Sequence, residues 1–132
     1  MVVAHWGLER PALVGHDIGG GVVTRAHLVE EVPVSALALV DAAVLGPWNT
    51  PFTEHMQRHA EAYRTMPPDV FADIVGPRLR TATHRPMADR LAAAIPGARR
   101  ELIAGGGHFL PEDRPEEVAG ALLRFLGEKP QV

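Results

Sequence analysis

LVGHDIGGG, residues 13–21, places an acid at the end of an apolar run and surrounds it with residues that have almost no side chain. Two readings compete for it. Gly and Asp dominate turns, and Asp is a good helix N-cap. The sharper reading is a nucleophile, Asp17, held on a strained bend between a strand and a helix. Gly15 and Gly19 would then let the helix approach the strand more closely than any larger side chain allows. A carboxylate at the bend would also face the positive end of the helix dipole.

The flanking sequence suits such a bend. Residues 2–8 read as the tail of a helix. Pro11 can start a strand but not sit inside one, so Ala12–Gly15 is expected as a short buried strand. GGGVVTRAHLVEE, residues 19–31, suits a helix, although its β-branched residues weaken it. A second strand is expected over about 36–40 in PVSALALVDAAV, apolar on both faces. Continuous apolar strands separated by helical stretches indicate a small parallel sheet flanked by helices, an α/β fold.

Further along, GPWNTP at 46–51 is a loop, and residues 51–65 form an amphipathic pattern with Phe52, Met56, His59 and Tyr63 on one face. Pro67 and Pro68 break it, and Asp69 would cap a shorter helix through Val75. MADRLAAAIPG reads as a helix ending at Pro96. ARRELIAGGGHF reads as a third strand, about 100–104, running into a glycine loop that presents His108. PEEVAGALLRFL, residues 115–126, closes the chain as a helix, with Pro115 and two glutamates in its first turn.

Composition narrows the function classes. The chain has 132 residues, the size of one domain. Hydrophobic residues make up 46% of it, enough for a packed core. Thirteen basic and sixteen acidic residues give a net charge of -3, and no block of like charge suggests a nucleic-acid surface. The absence of cysteine removes disulfides, thiolate metal sites and thiol nucleophiles together. The N-terminal stretch lacks the charged and apolar regions of a signal peptide, and no run approaches the ~20 apolar residues of a membrane span. A cytoplasmic location is the expectation.

GHDIG at 15–19 and GGGHFLPEDRPEEVAGALLRFL at 105–126, in that order, resemble the nucleophile elbow and the histidine loop with last helix of the α/β-hydrolase family. ALALVDAAV resembles the strand that follows the elbow helix. The resemblance implies Asp17 as nucleophile and His108 as general base, as in hydrolases of the epoxide hydrolase and dehalogenase type. Some relatives with an Asp nucleophile carry the triad acid after the strand that follows the elbow helix, and Asp41 matches that position. The chain is one shortened domain in this reading, with about 46–87 as the remnant of a cap.

Departures from the family pattern bear on substrate. The resemblance finds no counterpart for the strands before the elbow or for half of the oxyanion hole, leaving the backbone N–H of Ile18. Ile18 also stands where haloalkane dehalogenases have a halide-holding Trp. Epoxide hydrolases use two cap tyrosines, and Tyr63 is the only tyrosine. His16, Trp48 and Tyr63 join Ile18 as candidate substrate-facing residues, with a structural role the alternative for His16. His55 and His59, one turn apart, have no third ligand nearby, so no metal and no cofactor is implied. The expected function is hydrolysis of a small organic substrate of epoxide or ester type, in a homodimer or higher homo-oligomer. The alternative is an inactive remnant of the fold that serves as an assembly module.

Overall fold

Pro11 cannot donate to a ladder, and its carbonyl instead accepts from the Ser35 amide at 3.0 Å, just outside a pair of parallel strands. The computed structural model describes residues 2–46, 49–80 and 85–127. Strand β1 (Ala12–Asp17) and strand β2 (Ala36–Ala42) pair in parallel from Ala12↔Ala36 to His16↔Val40. Helix α2 (Ile18–Leu28) connects them, after a single turn α1 (Val2–His5). This βαβ unit carries most of the packing. Val32, Ala42 and Ala43 are buried in or beside it.

β1 is longer and less covered than expected. Within it only Gly15 is buried, while Val14 is 44% exposed. The close approach of helix to sheet is real, but it belongs to Gly15 and Gly20 rather than Gly19. A Cβ on Gly15 would lie 2.5 Å from the Gly19 carbonyl oxygen, and one on Gly20 would lie 2.2 Å from the Ala42 Cβ. Gly19 faces open space.

Beyond the unit the chain is a series of helices. Helix α3 (Pro51–Arg58) starts from a reciprocal capping box: Thr53 N–H donates to Thr50 Oγ1 at 3.2 Å, and Thr50 N–H donates to Thr53 Oγ1 at 2.7 Å. The expected single helix over 51–65 leaves helical geometry at His59 (φ -119°, ψ 33°) and resumes as α4 (Ala60–Arg64). Helix α5 (Pro68–Leu79) does not stop at Val75. It runs through Gly76 and Pro77, forgoing the one hydrogen bond that proline cannot donate. Pro67, not Asp69, is its N-cap residue, and Asp69 lies in the first turn, where its charge suits the dipole. Helices α6 (Arg85–Ala94), α7 (Leu110–Asp113) and α8 (Pro115–Gly127) follow.

The expected third strand at 100–104 is not formed. An apolar run becomes a strand only when an adjacent edge supplies its ladder, and among the described residues no edge pairs with it. The segment is irregular, Leu102 is 58% exposed, and the chain turns at Gly105 with φ 73°. Its end nevertheless reaches the end of the sheet, where Asp17 and Asp41 lie.

Candidate active site

Asp17 is the last residue of β1 and stands at the N-cap position of α2. Its backbone is at φ 49°, ψ -124°, a region that L residues rarely enter. Its side chain makes no capping hydrogen bond. The N-cap alternative therefore does not explain the residue: the bend holds the carboxylate away from the helix amides rather than on them. The Asp17 carbonyl accepts from the Ala43 amide at 3.0 Å, which ties the bend to the chain leaving β2.

Asp41 owes its position to a β-bulge. The register passes from His16↔Val40 directly to Asp17↔Ala42, so Asp41 is the extra residue on β2. It too has a positive φ, 38°. Bulges re-aim side chains, and this one brings Asp41 to the histidine loop. The Nδ1–H of His108 donates to Asp41 Oδ2 at 2.9 Å.

The loop that carries His108 is fixed by its backbone. The His108 amide donates to the Leu79 carbonyl at the end of α5, at 2.8 Å. The Gly107 amide donates to Asp113 Oδ2 at 2.7 Å. Gly107 must be glycine for this contact, since a Cβ there would lie 2.6 Å from the Leu79 oxygen. Nothing in the sequence alone marks Asp113 or Leu79 for this work. The spacing of Asp113 from Gly107 is a loop property, and Leu79 takes part through its main chain.

With Nδ1 occupied as a donor, His108 turns Nε2 toward Asp17, 3.6 Å from Oδ2. The side-chain exposures are graded across the three: Asp41 9%, His108 15%, Asp17 39%. The group with most access to solvent is thus the carboxylate on the bend. The arrangement couples a carboxylate on a strained turn, an imidazole that bonds one carboxylate through Nδ1 and faces the other through Nε2, and a shielded second carboxylate. Chemically, such an arrangement can supply a nucleophile, a base and an orienting acid.

The other candidates are dispersed. The Nε2–H of His16 donates to the His108 carbonyl at 2.8 Å. Ile18 is the first residue of α2, where helix geometry leaves the N–H without an intrahelical acceptor, and it is 61% exposed. Tyr63 lies in a separate groove with Met56 and Phe71, lined by none of Asp17, Asp41 or His108. Its ring meets those of His55 and Phe71. Trp48 lies outside the described residues. The His55 and His59 rings are 4.5 Å apart, and among the described residues no three His, Asp or Glu side chains are grouped to hold a metal ion.

Over 39 residues, 29% of its length, the chain is 56% identical to epoxide hydrolase A of Mycobacterium tuberculosis. Over this stretch the chain is similar to a hydrolase of the α/β-hydrolase family. The matched stretch spans 12% of that relative's length. A crystal structure of an α/β hydrolase fold protein from Burkholderia ambifaria is 31% identical, with a TM-score of 0.49 over 56% of this chain and 27% of that one. No protein-family model matches the chain. The small parallel sheet flanked by helices is the α/β fold expected from the strand pattern, reduced among the described residues to two strands. None of its helices there is long and apolar enough to cross a membrane.

Proposed function

We propose that this chain hydrolyses a small organic substrate of epoxide or ester type, the epoxide through a covalent ester on Asp17. The observation that carries the reading is the His108 imidazole, bonded through Nδ1 to Asp41 at 2.9 Å and turned through Nε2 toward Asp17 at 3.6 Å. With an ester substrate, water activated by His108 Nε2 attacks the carbonyl carbon directly, releasing acid and alcohol. With an epoxide, in the first step an Asp17 carboxylate oxygen attacks a ring carbon. A C–O bond forms, the bond to the leaving oxygen breaks, and that oxygen takes up a proton from solvent. In the second step water attacks the carbonyl carbon of the Asp17 ester. His108 Nε2 accepts the water proton, Asp41 stabilises the imidazolium, and collapse of the tetrahedral species releases the alcohol and restores the carboxylate.

The backbone N–H of Ile18 is the donor this reading assigns to the developing oxyanion, because it is the first amide of α2 and directly follows the nucleophile. The epoxide side of the reading draws support from the relative named above, and the ester side from the single tyrosine lying outside the site. In the same reading the chain works as a twofold homodimer in the cytoplasm. A non-catalytic assembly module is the competing outcome.

Incubation of His108→Ala with a panel of epoxides, esters and halogenated acids tests the proposal by intact-mass spectrometry. A stable adduct on a peptide containing Asp17, absent in Asp17→Asn, is the expected result. Failure of every substrate to give either adduct or turnover in the wild-type chain overturns it in favour of the assembly module.

A further inference from the structure

His16, immediately before the proposed nucleophile, holds the main chain of the proposed base. Its Nε2 lies 2.8 Å from the His108 carbonyl oxygen, 92 residues away in sequence. A carbonyl only accepts, so this nitrogen carries the proton and the tautomer of His16 is set. On its other side His108 is held by its own amide, which donates to the Leu79 carbonyl at 2.8 Å. The His16 ring also packs at 5.5 Å from the His108 ring and 6.3 Å from Phe109, centroid to centroid. Residue 108 is therefore gripped at three points: its N–H by the end of α5, its C=O by β1, and its Nδ1–H by β2.

We propose that His16 is a positioning residue for His108, and not a substrate contact. The proposal rests on the reading of His108 as general base. The reason for a clamp lies in the geometry of that role. The base must sit within hydrogen-bond reach of a water poised at the Asp17 ester, and the loop that carries it has no ladder to hold it. A displacement of about 1 Å in such a group can cost on the order of 10²-fold in rate. Anchoring the loop to the residue adjacent to Asp17 makes the nucleophile and base move as one body.

Three variants separate positioning from substrate contact. His16→Gln keeps an N–H donor at the reach of Nε2, His16→Phe keeps a ring without a donor, and His16→Asn places its donor short of the carbonyl. The first readout needs no substrate: the His108 Nδ1–H resonance and the exchange of the His108 amide by NMR. Both should exchange with water roughly tenfold or more faster in His16→Phe, and near the wild-type rate in His16→Gln. His16→Asn replaces His16→Phe if the latter does not fold. Unchanged exchange in the donorless variant overturns the clamp.

The second readout is kinetic. His16→Phe should lower kcat by about 10- to 100-fold with KM within about twofold, and His16→Gln should recover most of the loss. A rise in KM at constant kcat, alike in both variants, overturns positioning in favour of substrate contact. Should His108→Ala turn over substrate as fast as wild type, the general-base reading fails, while the NMR result still decides whether His16 holds the loop.

Discussion

The Nδ1–H of His108 donates to Oδ2 of Asp41 at 2.9 Å across 67 residues of chain. The bond exists because β2 carries one residue more than β1 at its end, so that the register passes over Asp41 and its side chain reaches the loop. A regular ladder would have placed position 41 opposite Asp17 and committed it to the strand's alternation. The bulge therefore converts a strand residue into a partner for the histidine.

Asp41→Asn tests what that partnership does. The amide can present its NH2 to Nδ1, which moves the imidazole proton to Nε2 and removes the base. Turnover should fall by about 10²- to 10⁴-fold, while the ester on Asp17 still forms and accumulates. Pre-steady-state mass spectrometry would show this as a burst of adduct followed by slow release. Wild-type turnover in the variant would remove Asp41 from the mechanism.

Asp17→Gly should make the protein more stable as it makes it inactive. Backbone conformations of this kind cost on the order of 1–3 kcal/mol in a residue with a side chain, and glycine takes up φ 49° freely. Part of the gain is offset by the greater freedom of glycine in the unfolded chain. A net increase of about 1 kcal/mol in urea unfolding is expected, with Asp17→Asn close to wild type. A loss of stability on introducing glycine would show that the bend is not strained.

The two glycines on either side of Asp17 should respond oppositely to alanine. At Gly15 the new Cβ meets main-chain atoms of Gly19 at 2.5 Å and of Gly20 at 2.7 Å, which cannot rotate away. A destabilisation of about 1–3 kcal/mol follows from overpacking. At Gly19 nothing lies within 4 Å, so alanine should add about 0.4–1 kcal/mol by restricting the unfolded chain. Thermal melts of the pair check the difference in sign.

This contrast also marks how far the sequence could be read. The strand, bend and helix around Asp17 are legible because they are local: one apolar run, one acid, glycines in the space between. Which glycine touches the sheet depends on the phase of α2 once it starts at Ile18 rather than Gly19, and that phase is not written in the composition. Asp41 stood out by its position after a strand, but the bulge that aims it is a property of two strands in register. The run at 100–104 has the residues of a strand, but among the described residues it pairs with neither edge of the two-stranded sheet. The helix expected to stop at Val75 runs on through Pro77, since a single lost hydrogen bond does not outweigh the rest of α5. The His16 to His108 bond joins residues at opposite ends of the chain, and neither residue's neighbours signal it.

The last prediction concerns the free edge of β1. Among the described residues β1 pairs with β2 on one side, and nothing pairs with the other. An unpaired edge with apolar side chains is a template for another chain. Val14 on this strand is 44% exposed, and Val2 and Trp6 of the adjoining N-terminal segment are 57% and 68% exposed. Apolar residues left uncovered in this way mark association surfaces. Twofold pairing is the commonest closed arrangement, and it would join two sheets edge to edge while covering these side chains. Sedimentation equilibrium at low micromolar concentration should therefore give twice the 14.2 kDa chain mass. Val14→Lys places a charge on the edge strand, as proteins that avoid such pairing do, and should shift the population to monomer with little change in urea stability at high dilution. A wild-type chain that sediments as a single species of monomer mass ends the dimer hypothesis.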